Sequence, residues 1–526
     1  MNTSENSNTE SLWLATSDGR RQESNATIDG RFDVAIIGAG IVGISTAYQL
    51  RSSGLRVILL EARTALSGVT GHTTGKLTSQ HGLTYKRLID ERGFEFAKLY
   101  GEANEWAIRF AESEIASLGI ECDHAREAAY VWSPTSEGLE EIRAEVEACS
   151  SLNMPASFVG PEAIPVPSFG AIKFSDQVRF HPLKFLRALL DAAVLEGVQL
   201  AENYRVTSID EAEDGCTLQT EQGEIKADKI MIATNYPIED SGWFVAKLAP
   251  YRSYASSFVL NSDPPEGMYI SSSGPLRSFR KHSSENGDYL IVGSGHHRVG
   301  QDSNAQANFE DLEAWARANF DVRELSHRWS TQDNWTPDEL PYIGLSPDKT
   351  RMFLATGFAG WGMSTGLVAG KIISNLITTG ESAWSNIYDP SRSSYGALAE
   401  IVKENVQTVG RLVGDRLGSA EVGSLADIPL DSGAIWQAKD RRVAVYRSAT
   451  GQLQGLSTVC PHVGCQVDWN DAEKSWDCPC HGSRFDLEGN VLHGPAVKAL
   501  ERVDLDSLEG GTAVVATDAT RIQSSP

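Results

Sequence analysis

Four side chains in the last part of the sequence have the types and spacing to hold a redox metal centre. Cys460-Pro461-His462 is followed, after fifteen intervening residues, by Cys478-Pro479-Cys480-His481. Each segment supplies one thiolate and one imidazole. Four thiolates would suit zinc or a plant-type iron–sulfur cluster. The mixed set suits a [2Fe–2S] centre in which Cys460 and Cys478 hold one iron and His462 and His481 the other. Neutral imidazoles leave less negative charge on the metal than thiolates do, so the reduction potential rises to roughly −150 to +300 mV. Zinc also accepts two thiolates and two imidazoles, but zinc fingers place their cysteines together and then their histidines. The expected chemistry is one-electron transfer.

The full segments, CPHVGC and CPCHGSRFD, resemble the cluster loops of Rieske domains. The resemblance implies an all-β Rieske domain, a disulfide between Cys465 and Cys480 that joins the two loops, and a hydrogen bond from Ser483 to a cluster sulfur. Phe485 departs from the pattern, because high-potential members carry a tyrosine there that donates to a ligand cysteine. Without that donor the potential is expected below the top of the Rieske range. Cys122, Cys149 and Cys216 are scattered and read as inert thiols.

A second set of motifs lies near the N-terminus. The apolar run FDVAII is followed at once by Gly38-Ala39-Gly40-Ile41-Val42-Gly43, a helical pattern, and a second apolar run, RVILLE, ending in Glu61. This is a βαβ unit for a dinucleotide. Gly38 permits the tight turn, Gly40 lets backbone approach a pyrophosphate, and Gly43 allows close packing of helix on strand. The helix N-terminus offers its amides to the phosphates, and Glu61 suits the ribose hydroxyls. Arg63, Thr70, Val206 and Thr234 are further candidates for cofactor contact. Near residue 357, the strand-like MFLAT leads into GFAGWGMSTG. A glycine-rich turn of this kind aims a helix N-terminus at negative charge on a reduced isoalloxazine, which makes Gly357, Gly360, Trp361, Gly362 and Met363 candidates.

Together with DELPYIG at 338–344, these motifs resemble the D-amino-acid oxidase / glycine oxidase / sarcosine dehydrogenase superfamily over about residues 32–380. The resemblance implies FAD as cofactor and a small amine or amino-acid-like substrate. His72, within SGVTGHTTGKLTSQHG, stands where sarcosine and dimethylglycine dehydrogenases carry a histidine bonded covalently to the flavin; Gly71 replaces the family tryptophan before it. Tyr251, Arg252 and Arg280 fall where superfamily members clamp a substrate carboxylate. His296 and His297 are neighbours on an expected strand and so face opposite ways, one of them toward a pocket. His72, Tyr251, Arg252 and His297 are the catalytic candidates, and no general acid or base stands out. Val292-Gly293-Ser294-Gly295 begins like a second fingerprint, but its third glycine is misplaced and it reads as a strand.

The elements that must position these groups need more than one core, since 526 residues exceed what a single domain packs. The expected fold is multidomain. An α/β Rossmann-like FAD domain takes 31–85, 180–240 and 331–390, and an interleaved α+β substrate domain takes 86–179 and 241–330. A helical linker at 391–422 carries the amphipathic LAEIVKENVQTVGRLVGDRL. The Rieske domain follows at 423–517, then a tail at 518–526. Residues 1–30 are polar apart from SLWLA and read as a disordered leader. A net charge of −24 argues against nucleic-acid or anionic-membrane surfaces. No apolar run approaches the roughly 20 residues of a membrane-spanning helix, and the start lacks a secretion signal. The expectation is a soluble, cytoplasmic FAD oxidoreductase that passes electrons through its cluster to an unidentified one-electron acceptor. Two other readings stay open: an electron-transfer module serving a partner enzyme, and an oxygen-using oxidase with a structural or sensing cluster.

Overall fold

The computed structural model describes residues 10–17, 28–239, 242–299, 304–392, 421–438 and 441–508. The amphipathic stretch at 398–417 and the tail from 518 lie outside them.

The fingerprint run forms strand Arg31–Ile37, paired in parallel with Val57–Glu61 on one side and Gly223–Ile232 on the other. The sheet runs in the order Tyr342–Leu345, Met352–Thr356, Gly223–Ile232, Arg31–Ile37, Val57–Glu61, Gln199–Glu202, and only the first of these pairs antiparallel. Burial on both faces explains the unbroken apolar runs. Helices Ile41–Leu50 and Gly362–Thr378 follow two of the parallel strands and pack on one another. Their N-termini therefore emerge at the same carboxyl edge of the sheet, where dinucleotides bind. Neither helix start has a side-chain cap.

A nine-stranded mixed sheet forms the second domain. Val322–Trp335, Ala249–Leu260 and Gly287–Arg298 are its long end; the last of these contains Val292–Gly295, which runs on as strand to Arg298 instead of opening a helix. Two segment limits expected from the sequence need adjustment. Lys76–Leu77 pairs with Gly170–Arg179 in this sheet, and Val322–Trp335 runs past residue 330 without a break.

The leader is corrected where it is described. Leu12–Thr16 is a helix with Leu12 and Trp13 fully buried. Ser11 accepts from the Leu14 amide and donates to the Gly71 carbonyl at 2.5 Å, while Trp13 Nε1 donates to the Thr73 carbonyl at 2.6 Å. The Trp13 ring meets His181 and His282 edge-on at 5.0 and 4.9 Å. SLWLA is the apolar break in that polar stretch, too short for a periodicity to be read.

The C-terminal domain is all β, with a five-stranded and a four-stranded sheet and apolar clusters of its own. It packs on one face of the long strands. Strand residues alternate, so Arg252, Ser330 and Gln332 face this domain while Ser253, Thr331, Asp333 and Trp335 face a cavity on the other side. Arg252 bridges Glu473 and Asp477, the latter at 3.2 Å. Arg484 joins the same two carboxylates at 3.3 and 3.0 Å. Among the described residues, no helix is long and apolar enough to cross a membrane.

Candidate functional site

A cavity of about 630 Å³ opens at the carboxyl edge of the parallel sheet. The glycine turn shapes one end. Gly38 has φ 103°, and a Cβ there would come within 2.5 Å of the Ala233 carbonyl oxygen. A Cβ on Gly43 would overlap the Gly38 carbonyl oxygen. The Glu61 carboxylate accepts from the Ala39 and Arg63 amides, both at 2.9 Å, and Thr70 Oγ1 accepts from the Ile41 amide at 3.1 Å. Every cofactor candidate named from the sequence lines the cavity except Gly43 and Gly357. Those two act from behind the wall. Gly357, at φ 77°, leaves no room for a Cβ beside the Thr336 side chain. A helix start whose N-cap, Gly40, brings no side chain, in a turn kept open at Gly38 and Gly40, fits a dinucleotide.

His72 also lines the cavity. Its Nδ1 lies 2.8 Å from the Gly68 carbonyl oxygen, and its own carbonyl accepts from Trp329 Nε1 at 2.9 Å. Burial pushes the imidazole pKa down, so the ring is held neutral. His81, also in the lining, stacks on Trp361 at 4.7 Å and bonds Ser364 at 2.8 Å, which fixes the glycine-rich turn before the second helix.

The cluster loops lie beyond the sheet. Cys460 and Cys478 are buried, 1% exposed each. His462 and His481 stand with ring centroids 5.1 Å apart. Both Nδ1 atoms are buried without a protein partner. Such atoms are rare in folded proteins and ask for a ligand. Cys465 and Cys480 form a disulfide, so although their sulfurs lie within 4.8 Å of Cys478 Sγ, neither is a free thiolate. Ser483 Oγ is buried and accepts from the Ala496 amide at 3.0 Å. Phe485 is fully buried and offers no donor. Two thiols and two orphaned imidazole nitrogens fit a [2Fe–2S] cluster and not a four-thiolate site.

Comparison with known proteins agrees with this geometry. The family model for FAD dependent oxidoreductases matches residues 33–376, and that for the Rieske [2Fe–2S] domain matches 420–506. The chain belongs to the FAD dependent oxidoreductase family. A Bacillus subtilis (strain 168) protein, YhfW, described as a Rieske 2Fe–2S iron–sulfur protein, is 35% identical over 91% of this chain and 94% of its own. The cytochrome b6-f complex iron–sulfur subunit of Chlorobaculum tepidum is 35% identical over 18% of this chain and 51% of its own. Glycine oxidase from Geobacillus kaustophilus shares the fold with TM-score 0.60 and 19% identity, over 70% of this chain and all of that one. The chain is therefore an FAD-dependent oxidoreductase carrying a Rieske centre, and FAD and a [2Fe–2S] cluster are its cofactors.

Within this FAD dependent oxidoreductase, the catalytic candidates separate. His72 lines the cavity, whereas Tyr251, Arg252 and His297 do not. Arg252 is corrected as a substrate clamp, because its guanidinium is spent on Glu473 and Asp477 across the domain contact. His297 stacks on Tyr254, and Tyr251 stacks on His296 at 4.6 Å. His296 is the histidine that faces the cavity. Arg280 is corrected likewise, since it donates to the Thr74 carbonyl at 2.6 Å and lies over Trp13.

The cavity wall also carries titratable groups that no sequence motif marked, Asp333 and Lys76 among them. Burial pushes the Asp333 carboxyl up to about 6. Burial first, then Arg280, pushes the Lys76 ammonium down to about 7; its Nζ donates to the Tyr269 carbonyl at 2.7 Å and to Ser278. Gly482 shows how tightly the cluster loop is seated. It has φ 76°, a Cβ would overlap the Gln332 amide, and Gln332 Nε2 donates to its carbonyl at 3.1 Å. A Gly482→Ala protein is expected to lose that bond and about 1–3 kcal/mol of stability, read as a lower melting temperature and a changed cluster EPR line shape.

Proposed function

We propose that the protein oxidises a small amine or amino-acid-like substrate in the cavity and passes the electrons singly through its own cluster to an external one-electron acceptor. The observation carrying this reading is Tyr236. It lines the cavity and stands edge-on to His462, with centroids 6.3 Å apart. A second link runs from cavity to cluster loop: Asn235 Nδ2 donates to the Gln332 carbonyl at 3.3 Å, and the Gln332 side chain donates to Gly482.

In this reading Gly38–Val42, Glu61 and Gly360–Met363 hold the FAD, with His72 beside it, and Cys460, His462, Cys478 and His481 hold the cluster. When bound, the flavin supplies a two-electron acceptor and the cluster a one-electron acceptor. The chain's own residues do the rest. Asp333, ionised above about pH 6, accepts a proton from the substrate ammonium and leaves the amine free to react. Lys76 in its cationic form suits a substrate carboxylate. Trp335 and His296, with ring centroids 4.7 Å apart, wall off that side. The oxidised product is an imine, which water hydrolyses after release.

A pH profile checks the assignment of Asp333. Above about pH 7 the loss of charge on Lys76 should lower kcat/KM, and on the acid limb, because the Asp333 carboxyl must be ionised to act, kcat/KM should rise as pH increases through about 6. An Asp333→Asn protein should lose that limb and fall by about 10²–10⁴-fold. The reading as a whole is tested by adding candidate amines without oxygen. Bleaching of the flavin followed by the EPR signal of the reduced cluster in the same sample supports it. A flavin that responds to a partner reductase but to no amine would replace it with an electron-transfer module.

A further inference from the structure

The Rieske domain contributes more to the cavity than proximity. Leu492, His493, Ala496 and Val497 lie in its wall, facing the side that carries Glu61, Arg63 and Arg205. We propose that this segment of the cluster domain is part of the FAD site, so that the ADP half of the dinucleotide is clasped between the two domains. This inference rests on reading the cavity as the flavin site.

Charge and hydrogen bonding point to that half of the cofactor. Glu61 spends its carboxylate oxygens on the Ala39 and Arg63 amides. The Arg63 guanidinium donates to the Ser67 carbonyl at 3.4 Å, near the limit of a hydrogen bond. Arg205 donates to the Val491 carbonyl at 3.2 Å, a bond that ties the two walls together. Burial pushes the pKa of both guanidiniums down, as happens to cations taken from water without an adequate counter-charge. A pyrophosphate supplies that charge with matching bidentate geometry. His493 completes the arrangement. Its Nε2 is buried without a protein partner. Burial first, then Arg484, Arg63 and Arg252, pushes its pKa to about 3. The ring is thus neutral, adds no repulsion to the arginines, and can bond a ribose hydroxyl or a phosphate oxygen. Arg252 and Arg484 lie on the carboxylates Glu473 and Asp477, which leaves Arg63 and Arg205 as the guanidiniums that line the cavity among the described residues.

One consequence is linkage. A ligand that touches both domains stabilises their contact as well as itself, so filling the flavin site should tighten the docked cluster domain.

Hydrogen exchange followed by mass spectrometry tests this on the full chain. The measurement compares FAD-free and FAD-loaded protein in a His72→Ala background, where the dinucleotide exchanges freely whatever its attachment. FAD should slow exchange at 491–498 as well as at 38–42 and 204–206. Protection confined to the latter two would overturn the shared wall while leaving the cavity as the flavin site. Protection in none of them would overturn the cavity reading itself. A His493→Leu substitution in the same background, with cluster EPR intensity per chain as the folding control, should raise the FAD dissociation constant about tenfold. An unchanged constant with an intact cluster overturns the proposal.

Discussion

An Arg252→Met protein is expected to lose the docking of its cluster domain while both domains stay folded. Arg252 is 4% exposed and bridges Glu473 and Asp477 from the far side of the long strands. Removing one partner of a buried pair leaves an uncompensated charge, at a cost of about 3–5 kcal/mol. Arg484 alone would then face two carboxylates. Small-angle scattering should show a longer particle, and reduction of the cluster after flavin bleaching should slow. Adding Glu473→Gln removes one charge of each sign and should restore much of the docking; failure of the double variant to recover would count against the ion-pair account. The pH dependence has a definite sign. Burial alone would raise both carboxyls, but Arg252 and Arg484 reverse this and hold Glu473 and Asp477 below the usual carboxylate range. Groups whose folded pKa is depressed stabilise fully above their unfolded value, about 4, and lose that contribution as pH falls through the folded value. Docking should therefore fail only in strong acid.

A Gly43→Ala protein should fail to retain FAD. The added methyl has nowhere to go, because it would overlap the Gly38 carbonyl oxygen and sit 3.3 Å from Ile36 Cγ2. Relief requires the helix Ile41–Leu50 to rise from its strand, which moves its N-terminal amides out of the cavity. Overpacking of this kind costs about 1–3 kcal/mol or more, and the displaced amides no longer meet the phosphates. Flavin content per chain should drop below a tenth, while the cluster signal persists because the Rieske domain has its own apolar clusters. Gly40→Ala is the informative contrast. Its Cβ would lie 3.1 Å from Thr70 Oγ1, so stability should change little and affinity should carry the effect.

Much of this was legible in the sequence because the chemistry is local. Both cluster loops, the fingerprint turn and the turn at 357–366 are contiguous segments, and the two families they imply are the families that match. What sequence could not give depends on long-range pairing. Alternation along Ala249–Leu260 says that Arg252 and Ser253 face opposite ways, yet not which face meets the cluster domain and which the cavity. Asp333 and Lys76 come from segments far apart in the chain that one sheet joins, and neither has a local motif. The wall at 491–497 belongs to one domain in sequence and to the other's cavity in space. The short helix at 12–16 is fixed by His181 and His282, which likewise lie far along the chain.

That helix sets an order of assembly. Trp13 is made long before His282, and its ring rests against His181 and His282. At roughly 5–20 residues per second, the apolar face of Leu12–Thr16 must wait on the order of tens of seconds for its seat. The Gly71 and Thr73 carbonyls that it holds flank His72, so this stretch of the cavity wall is closed late, by a piece synthesised early. Anything fused ahead of residue 11 would ride on that closing step.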